Sequence, residues 1–283
     1  MIRVATVDMF GTSPGRGSAL DVLLPDTDRP WDEEAVEEML DDAAAHARHS
    51  HADESALVSR CSREEGTFRS RVFNSEGETP FGTHSLAGVA ACLAESGHLA
   101  PGEVARTSGA GSQRLWTDGP RVRVPFDGPV VEEEIALDTA SSRAYGGARA
   151  HAVGVGRGFT LVRVQEDPRV LPSPDLIRMR ESGTTDLTVF RWDPARQQVL
   201  ARVFAPGFGI PEDAGCLPVA AALGIAVLRM DPSCQRRPVT VTQVTAHGTE
   251  SVFTCEGTVR DGSARLTVTG SVWIKSQDLR RTT

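Results

Sequence analysis

The chain has 283 residues, of which 40 % are hydrophobic and 24 % charged, and its formal net charge is −8 at pH 7. This composition is typical of a globular protein with two medium domains or one large one. The negative charge and the lack of a basic cluster in the sequence argue against nucleic-acid binding. No apolar run approaches the roughly 20 residues that span a bilayer, and residues 1–4 lack a secretory-signal pattern, so we expect a cytoplasmic protein without membrane interactions.

The first half of the sequence alternates strands with two helices. Apolar and β-branched runs predict strands over 2–10, 20–24, 54–60, 67–73, 104–107, 115–117 and 121–126. Apolar residues at helical spacing predict an amphipathic helix over 30–48 and a second helix from about Ser85 to the residues before Gly97. Asp127-Gly128-Pro129 is the predicted boundary, which gives halves of 1–126 and 127–283, with a tail from about 272 that could return to the first half.

The second half repeats this order loosely. We expect strands over 160–165, 187–192, 199–204, 239–244, 250–255 and 265–269, with helices over 173–181 and 219–228. The helix over 219–228 is apolar nearly all round, which predicts that it is buried. Many strands with one long helix in each half predict an α+β fold made of two related halves.

One local pattern occurs in both halves. Arg71-Val72-Phe73 is followed by an acidic stretch and His84, and Arg202-Val203-Phe204 is followed by an acidic stretch and Asp213. Each copy predicts a strand, an acidic loop and a helix start, with a titratable side chain near the helix N-terminus. Because helix N-termini attract anions, two such halves facing each other predict proton-transfer chemistry on a small carboxylate.

Four residues are candidates for that chemistry, each with a simpler structural explanation. Glu54, at the start of a strand, is either a solvated carboxylate or a general base. His84 is either structural or a carboxylate-binding group beside a helix start. Asp213 could merely complement a helix dipole, and the nearby Cys216 could be a thiol nucleophile or base.

The cysteines and histidines predict neither disulfides nor a metal site. The five cysteines are odd in number and form no Cys-x-x-Cys pair, which argues against a disulfide framework and structural zinc. His46, His49 and His51 lie close together in the sequence but lack a carboxylate or cysteine at metal-ligand spacing.

The order of these segments resembles the PhzF-like isomerase family of phenazine biosynthesis. Residues 7–10, 54–58 and 74–84 are similar to the family's opening D-x-F, its E-T-A-F-V strand and its P-L-C-G-H turn. Residues 203–213, VFAPGFGIPED, nearly match the pattern F-A-P-x-x-G-I-x-E-D and are the most specific part of the resemblance. We therefore identify the chain as a divergent member of this family.

The resemblance implies a fold and a set of functional residues. It implies the diaminopimelate epimerase-like fold, in which each half is a mixed sheet around a central helix and the active site lies in the cleft between the halves. It implies a cofactor-free homodimer in which Glu54 moves a proton while His84 and Asp213 hold polar groups of the substrate. The matching substrate-binding positions are Ser18, Gly82, Thr83, Ser85, Gly215, Cys216 and Leu217.

The departures from the family pattern bear on the substrate. Thr83 replaces a glycine and Ser18 an asparagine, and Leu217-Pro218 replaces a Gly-Ser step. The last change removes one N–H and one hydroxyl and adds apolar bulk, so we expect a drier pocket and a less polar substrate than the phenazine precursor.

The resulting functional prediction has two alternatives. We expect an isomerase that shifts a double bond in a small unsaturated carboxylate, cyclic or amino-acid-derived, in antibiotic or other secondary metabolism. One alternative is a racemase or epimerase that uses Cys216, although Gly82 fills the position of the first-half thiol. The other is a non-catalytic member that binds a metabolite.

Overall fold

A computed structural model describes residues 2–25, 37, 39–79, 82–108, 111–213 and 215–276. The chain divides into two compact units, a first unit of residues 1–124 with 270–283 and a second unit of residues 125–269. Two long strands, β8 (Arg121–Ile135) and β16 (Ser263–Ser276), each continue from one unit into the other.

The remaining elements follow the same order in each unit, except that the second unit begins with an additional short helix, α3 (Thr139–Ala144). Those of the first unit are β1 Ile2–Met9, β2 Ser18–Pro25, α1 Leu40–His49, β3 Glu54–Ser62, β4 Thr67–Asn74, β5 Gly77–Thr79, α2 Thr83–Glu95, β6 Gly102–Ser108 and β7 Gly111–Thr117. Those of the second unit are α3 Thr139–Ala144, β9 Ala150–Val155, β10 Phe159–Arg163, α4 Leu176–Glu181, β11 Leu187–Asp193, β12 Gln198–Ala205, β13 Ile210–Asp213, α5 Leu217–Met230, β14 Val239–Val244 and β15 Glu250–Arg260. Short 3-10 helices span Pro168–Val170, Pro206–Phe208 and Pro232–Arg236.

The sheet of the first unit is mixed. β1 and β2 are antiparallel, β2 and β3 parallel, and β3 and β4 antiparallel. β4 then pairs parallel with β6, which leads through β7 to the start of β8, while the last residues of β16 pair with β1. The short strand β5 adds to the side of β4 and ends just before α2.

The second unit repeats this pairing strand for strand. β9 and β10 are antiparallel, β10 and β11 parallel, and β11 and β12 antiparallel. β12 pairs parallel with β14, which leads through β15 to the first part of β16, while the last part of β8 pairs with β9. The short strand β13 takes the place that β5 has in the first unit. The repeat seen in the sequence therefore corresponds to a repeated topology.

Each sheet is covered by helices on both faces. α2 contacts β1, β2, β3, β4 and β7, and α5 contacts β9, β10, β14 and β15, so each central helix touches strands across its own sheet. On the opposite face, Ala43 and Ala47 of α1 pack on Leu57 and Phe73, and Met179 of α4 packs in a cluster with Leu187 and Phe204. Strands covered on both faces are typically continuous apolar runs, which explains why the strand prediction over 199–204, apolar except for Arg202, succeeds.

Some predicted bounds differ from the structure. The predicted boundary at 127–129 lies inside β8, close to the division between the two units at 124 and 125. The strand continues through it: the Gly128 carbonyl accepts from Ser263 Oγ at 3.1 Å, and Pro129 needs no N–H to continue an extended strand. β5, β9 and β13 are additional strands. Of the helix expected over 30–48, α1 covers the last part, and residues 30–36 and 38 lie outside the described residues. No helix in the described part of the chain is long and apolar enough to cross a membrane.

Candidate functional site

Glu54 occupies the first position of β3, with its side chain in the interior of the first unit. It is only 4 % exposed and lies opposite Leu20 of the parallel strand β2. Ser85, the third residue of α2 and also buried, donates a hydrogen bond from Oγ to Glu54 Oε2. The start of the central helix therefore orients a carboxylate that bulk water barely reaches.

The segment that leads into Glu54 is held by its neighbour Asp53. Asp53 Oδ2 accepts from Ser18 Oγ at 2.8 Å and from the Ala19 N–H at 3.0 Å, and the Asp53 N–H donates to the Ala19 carbonyl at 3.0 Å. Ser18 is buried, and its hydroxyl is directed at Asp53. The geometry gives Ser18 a role in positioning Glu54, while its predicted contact with a substrate remains a prediction.

The first turn of α2 contains the other first-half candidates. Gly82 is the N-cap, and a Cβ atom there would lie 2.8 Å from Val72 Cγ2, so the site has no room for a side chain without a shift of Val72. The first-half thiol position of the racemase alternative is therefore occupied by glycine, and a side chain there would require Val72 to move. Thr83 and His84 begin the helix, and their side chains lie outside the described residues.

The second unit places its candidates at the start of α5. Asp213 ends β13, is 6 % exposed, and accepts from the Gly215 N–H at 2.8 Å through Oδ1. Cys216 is the N-cap of α5, the position that Gly82 holds on α2. Its carbonyl accepts from Gln243 Nε2 at 2.8 Å and from the Ala220 N–H at 3.0 Å, which fixes the turn.

The electrostatics of this turn keep the Cys216 thiol protonated. The residue retains some exposure, but burial of the thiol, followed by the negative charge of Asp213, raises its pKa well above the ordinary cysteine value. Because the thiolate is the nucleophilic form, Cys216 is a poor nucleophile and a poor base at neutral pH. A neutral S–H that donates to a polar group is the chemistry that this position supports.

Leu217 and Pro218 open α5 as a hydrophobic first turn. The Leu217 side chain is fully buried, so its bulk fills the interior of the second unit. Pro218 is tolerated in the first turn, where its missing N–H would have no helical partner. The start of α5 consequently offers one N–H fewer to an anion than an ordinary helix would.

Asp186 is a buried carboxylate that the sequence analysis missed. Ser55 pairs with Phe73 in the first unit and Leu187 with Phe204 in the second, so the preceding residues, Glu54 and Asp186, hold equivalent positions. The carboxylate oxygens of Asp186 accept from the Thr160 N–H at 2.7 Å, Thr185 Oγ1 at 2.9 Å and Arg157 Nη2 at 3.3 Å. In the sequence, Glu54 precedes Phe73 by 19 residues and Asp186 precedes Phe204 by 18. This similar spacing can be recognised as an equivalence only when the strand registers are known.

Each unit thus gathers its own candidates at the N-terminus of its central helix. The first unit brings together Glu54, Ser85 and Gly82, and the second brings together Asp213, Gly215 and Cys216. Within the described ranges, no group of three His, Cys, Asp or Glu side chains is placed to hold a metal ion. A buried, oriented carboxylate in one unit and a carboxylate beside a neutral thiol in the other suit proton transfer.

Comparison with known proteins identifies one family whose pattern covers nearly the whole chain. The phenazine biosynthesis-like protein family, PhzC-PhzF, matches residues 7–276. No curated protein matches the sequence significantly.

Solved structures of similar fold cover nearly the whole chain at low sequence identity. A phenazine biosynthesis protein of the PhzF family from Enterococcus faecalis is 18 % identical, with a TM-score of 0.75 over 97 % of both chains. A predicted epimerase from Pseudomonas aeruginosa is 19 % identical, with a TM-score of 0.71 over 100 % of both chains. A hydroxyproline epimerase from Agrobacterium vitis is 15 % identical, with a TM-score of 0.59 over 97 % of this chain and 91 % of that one. The expected α+β fold is confirmed.

Proposed function

The chain belongs to the phenazine biosynthesis-like protein family, and on that premise we propose that it is a cofactor-independent isomerase. The reaction is the shift of a double bond by proton transfer within a small unsaturated carboxylate. The observation that carries the proposal is Glu54, a buried carboxylate whose oxygen accepts from Ser85 at the start of a central helix. A carboxylate in such a setting can remove a proton from an activated carbon and return it.

The proposed step is balanced without an external reagent. Glu54 takes a proton from the carbon next to the double bond, and the C–H electron pair becomes a new double bond. The electron pair of the original double bond then takes the proton from Glu54 at the far carbon. Fixed dipoles stabilise the charge that develops in between, and Glu54 ends the cycle as a carboxylate.

The other site residues have supporting roles in this proposal. Asp213 and His84 hold polar groups of the substrate and assist the proton, and Cys216 contributes a neutral S–H. Since Pro218 leaves the start of α5 with one N–H fewer, we expect the enzyme to prefer a less polar acid to a heavily hydroxylated one. We propose separately that this acid is cyclic or amino-acid-derived. We further propose that the enzyme acts as a homodimer in the cytoplasm, in antibiotic or other secondary metabolism.

Deuterium uptake from solvent tests the proposal. The protein is incubated in D2O with a panel of unsaturated cyclic acids, and incorporation is followed by mass spectrometry and NMR. Glu54→Gln should lower the rate of incorporation by about 100- to 10,000-fold, the usual contribution of a general acid–base residue. Glu78→Gln, which changes an exposed carboxylate of the same unit, is the matched control and should leave the rate unchanged.

Two outcomes would favour the alternatives. Unchanged incorporation in Glu54→Gln together with loss in Cys216→Ala would indicate a racemase or epimerase that uses the thiol. The position of Cys216 at the N-cap of α5 is the observation in favour of it, while Gly82 at the first-half thiol position and the protonated thiol oppose it. Binding of an acid without incorporation in the wild-type protein would indicate a non-catalytic member.

A further inference from the structure

We propose that Arg202 and Glu212 form a buried clamp, a positioning pair that fixes Asp213 and Cys216 at the start of α5. The clamp consists of these two side chains and lies within the second unit. Its functional meaning rests on the proposed function, which gives Asp213 a role. Its geometry can be tested without a substrate.

All three guanidinium nitrogens of Arg202 donate hydrogen bonds within the second unit. Nε donates to Glu212 Oε1 at 2.6 Å, Nη1 donates to the Leu171 carbonyl at 2.7 Å, and Nη2 donates to Ser173 Oγ at 2.9 Å. The side chain is 3 % exposed and lies over the Phe204 ring, 4.9 Å from the ring centre. A planar group bonded on three sides has little freedom to move.

Glu212 uses both carboxylate oxygens to tie β13 to two neighbours. Oε1 accepts from Arg202 on β12, and Oε2 accepts from the Ala246 N–H, in the turn between β14 and β15, at 3.1 Å. This side chain is 11 % exposed. Because the pair is largely removed from water, its charge-assisted hydrogen bonds are little weakened by competing solvent.

The clamp acts on the site through one peptide bond. Asp213 follows Glu212 directly, lies opposite Val203 in the sheet, and bonds the Gly215 N–H one residue before Cys216. A shift of Glu212 would therefore move the Asp213 carboxylate relative to the Cys216 thiol. This makes Arg202 and Glu212 positioning residues, since neither is placed in contact with a reacting group.

The first unit provides a natural reference for this pair. Arg71 and Glu78 hold the equivalent positions, because Val72 pairs with Thr79 as Val203 pairs with Asp213. Arg71 Nε donates to Glu78 Oε1 at 2.7 Å, but the two side chains are 36 % and 42 % exposed. The first unit therefore carries the same contact at its surface.

The reactivity of Cys216 reports on its burial, which is the largest cause of its raised pKa, and on the position of Asp213. The side chains that raise its pKa, besides burial, are Asp213 and Asp186, both in the second unit. The probe is iodoacetamide, applied between pH 7.5 and 9.5, with the modified peptides quantified by mass spectrometry. Cys61, a partly exposed thiol of the first unit, is the internal reference in the same sample.

Glu212→Gln and Arg202→Gln should release Asp213 from the thiol and speed the labelling of Cys216. We expect a rate about tenfold higher at pH 8, which corresponds to a pKa lower by about one unit. The labelling of Cys61 should stay within about twofold of wild type. Arg71→Gln, the control in the first unit, should change neither cysteine.

Two results would overturn the clamp. One is an unchanged pH profile of Cys216 in a folded Glu212→Gln protein, which carries the test if Arg202→Gln fails to fold. The other is a rise at Cys216 accompanied by an equal rise at Cys61 or at the buried Cys255 of the second unit, which would mean loosening of the protein rather than a displaced Asp213. A failure here leaves deuterium uptake by the wild-type enzyme intact, and a failure of the proposed function leaves the labelling result intact, so the two are distinguishable.

Discussion

The first and second units carry the same Arg–Glu pair at the same place in the sheet, in opposite surroundings. Arg71 and Glu78 lie at the surface, while Arg202 and Glu212 are 3 % and 11 % exposed. The central helices that follow also begin differently. The N-cap of α2 is Gly82, near Glu54, and the N-cap of α5 is Cys216, near Asp213. The repeated strand topology therefore fixes where the N-termini of the two central helices lie. The burial of the Arg–Glu pair next to each helix start determines how strongly that pair can hold it.

The largest expected effect tests the burial difference directly. Arg202→Ala removes the partner of a buried carboxylate and should lower the free energy of unfolding by about 3–5 kcal/mol. Arg71→Ala breaks the exposed counterpart and should cost no more than about 1 kcal/mol. Urea unfolding followed by circular dichroism measures both. Equal costs would show that the two pairs do not differ in the way their exposure indicates.

A buried aspartate, Asp21, holds the helix α1 on the sheet of the first unit. In the first unit, Asp21 accepts from His46 Nε2 at 2.8 Å, Ser50 Oγ at 2.6 Å and Thr6 Oγ1 at 2.7 Å, which ties α1 to the sheet. Burial raises the pKa of Asp21, but these hydrogen bonds outweigh it and hold the pKa below the ordinary value of 3.8. The ionised form is therefore favoured in the folded state.

Asp21 makes the folded protein more stable at neutral pH than at acid pH. Because the folded pKa of Asp21 is depressed, its contribution to stability is present above about pH 4 and is lost as the pH falls through the folded pKa. Asp21→Asn should cost about 1.5–3 kcal/mol at pH 7 and flatten the loss of stability between pH 4 and 2. Urea titrations at pH 2.5, 4 and 7 measure this. Asp175→Asn, which keeps an N-cap on α4 in the second unit, should change stability at pH 7 by no more than about 0.5 kcal/mol.

The smallest effect separates the two central helices. A Cβ atom at Gly88 of α2 would lie 2.6 Å from Leu20 Cδ2 and 2.7 Å from Met9 Sδ, whereas one at Gly224 of α5 would lie 3.0 Å from Cys255 Cβ. Overpacking costs about 1–3 kcal/mol, and replacing a helical glycine by alanine returns about 1 kcal/mol. We expect Gly88→Ala to destabilise by about 1 kcal/mol and Gly224→Ala to be nearly neutral in thermal unfolding. The reverse order would contradict tighter packing around α2.

The sequence predicts the long elements of both units and the order in which they repeat. Strands covered on two faces, such as 199–204, and the apolar helix α5 carry strong patterns because burial selects the same residue types throughout. Where the short strands β5 and β13 lie, the sequence predicts acidic loops, since the pairing of these strands depends on β4 and β12 rather than on their own residues. The continuation of β8 through Gly128-Pro129 was also missed, because nothing local signals that its partner β9 lies alongside.

Some residues of the candidate site can be predicted from the sequence, and others cannot. The sequence predicts Glu54 from its place at the start of a strand and from the family resemblance, and Asp213 and Cys216 from their place next to a predicted helix start. Asp186 was missed because its equivalence to Glu54 exists only in the pairing of β11 with β12. The role of Arg202 was missed as well, because Arg71 and Arg202 look identical in sequence and differ only in burial.

The path of β16 has a consequence for how the protein is made. The second unit is built from one continuous stretch, 125–269. The first unit needs residues 270–276, because Met9 of β1 pairs with Val272 of β16. Since long-range strand pairing is slow and unpaired edges aggregate, the nascent first unit must wait with one edge of β1 uncovered while its neighbour is still being translated. Although it is synthesised first, the first unit cannot complete its sheet until residues 270–276 have been synthesised.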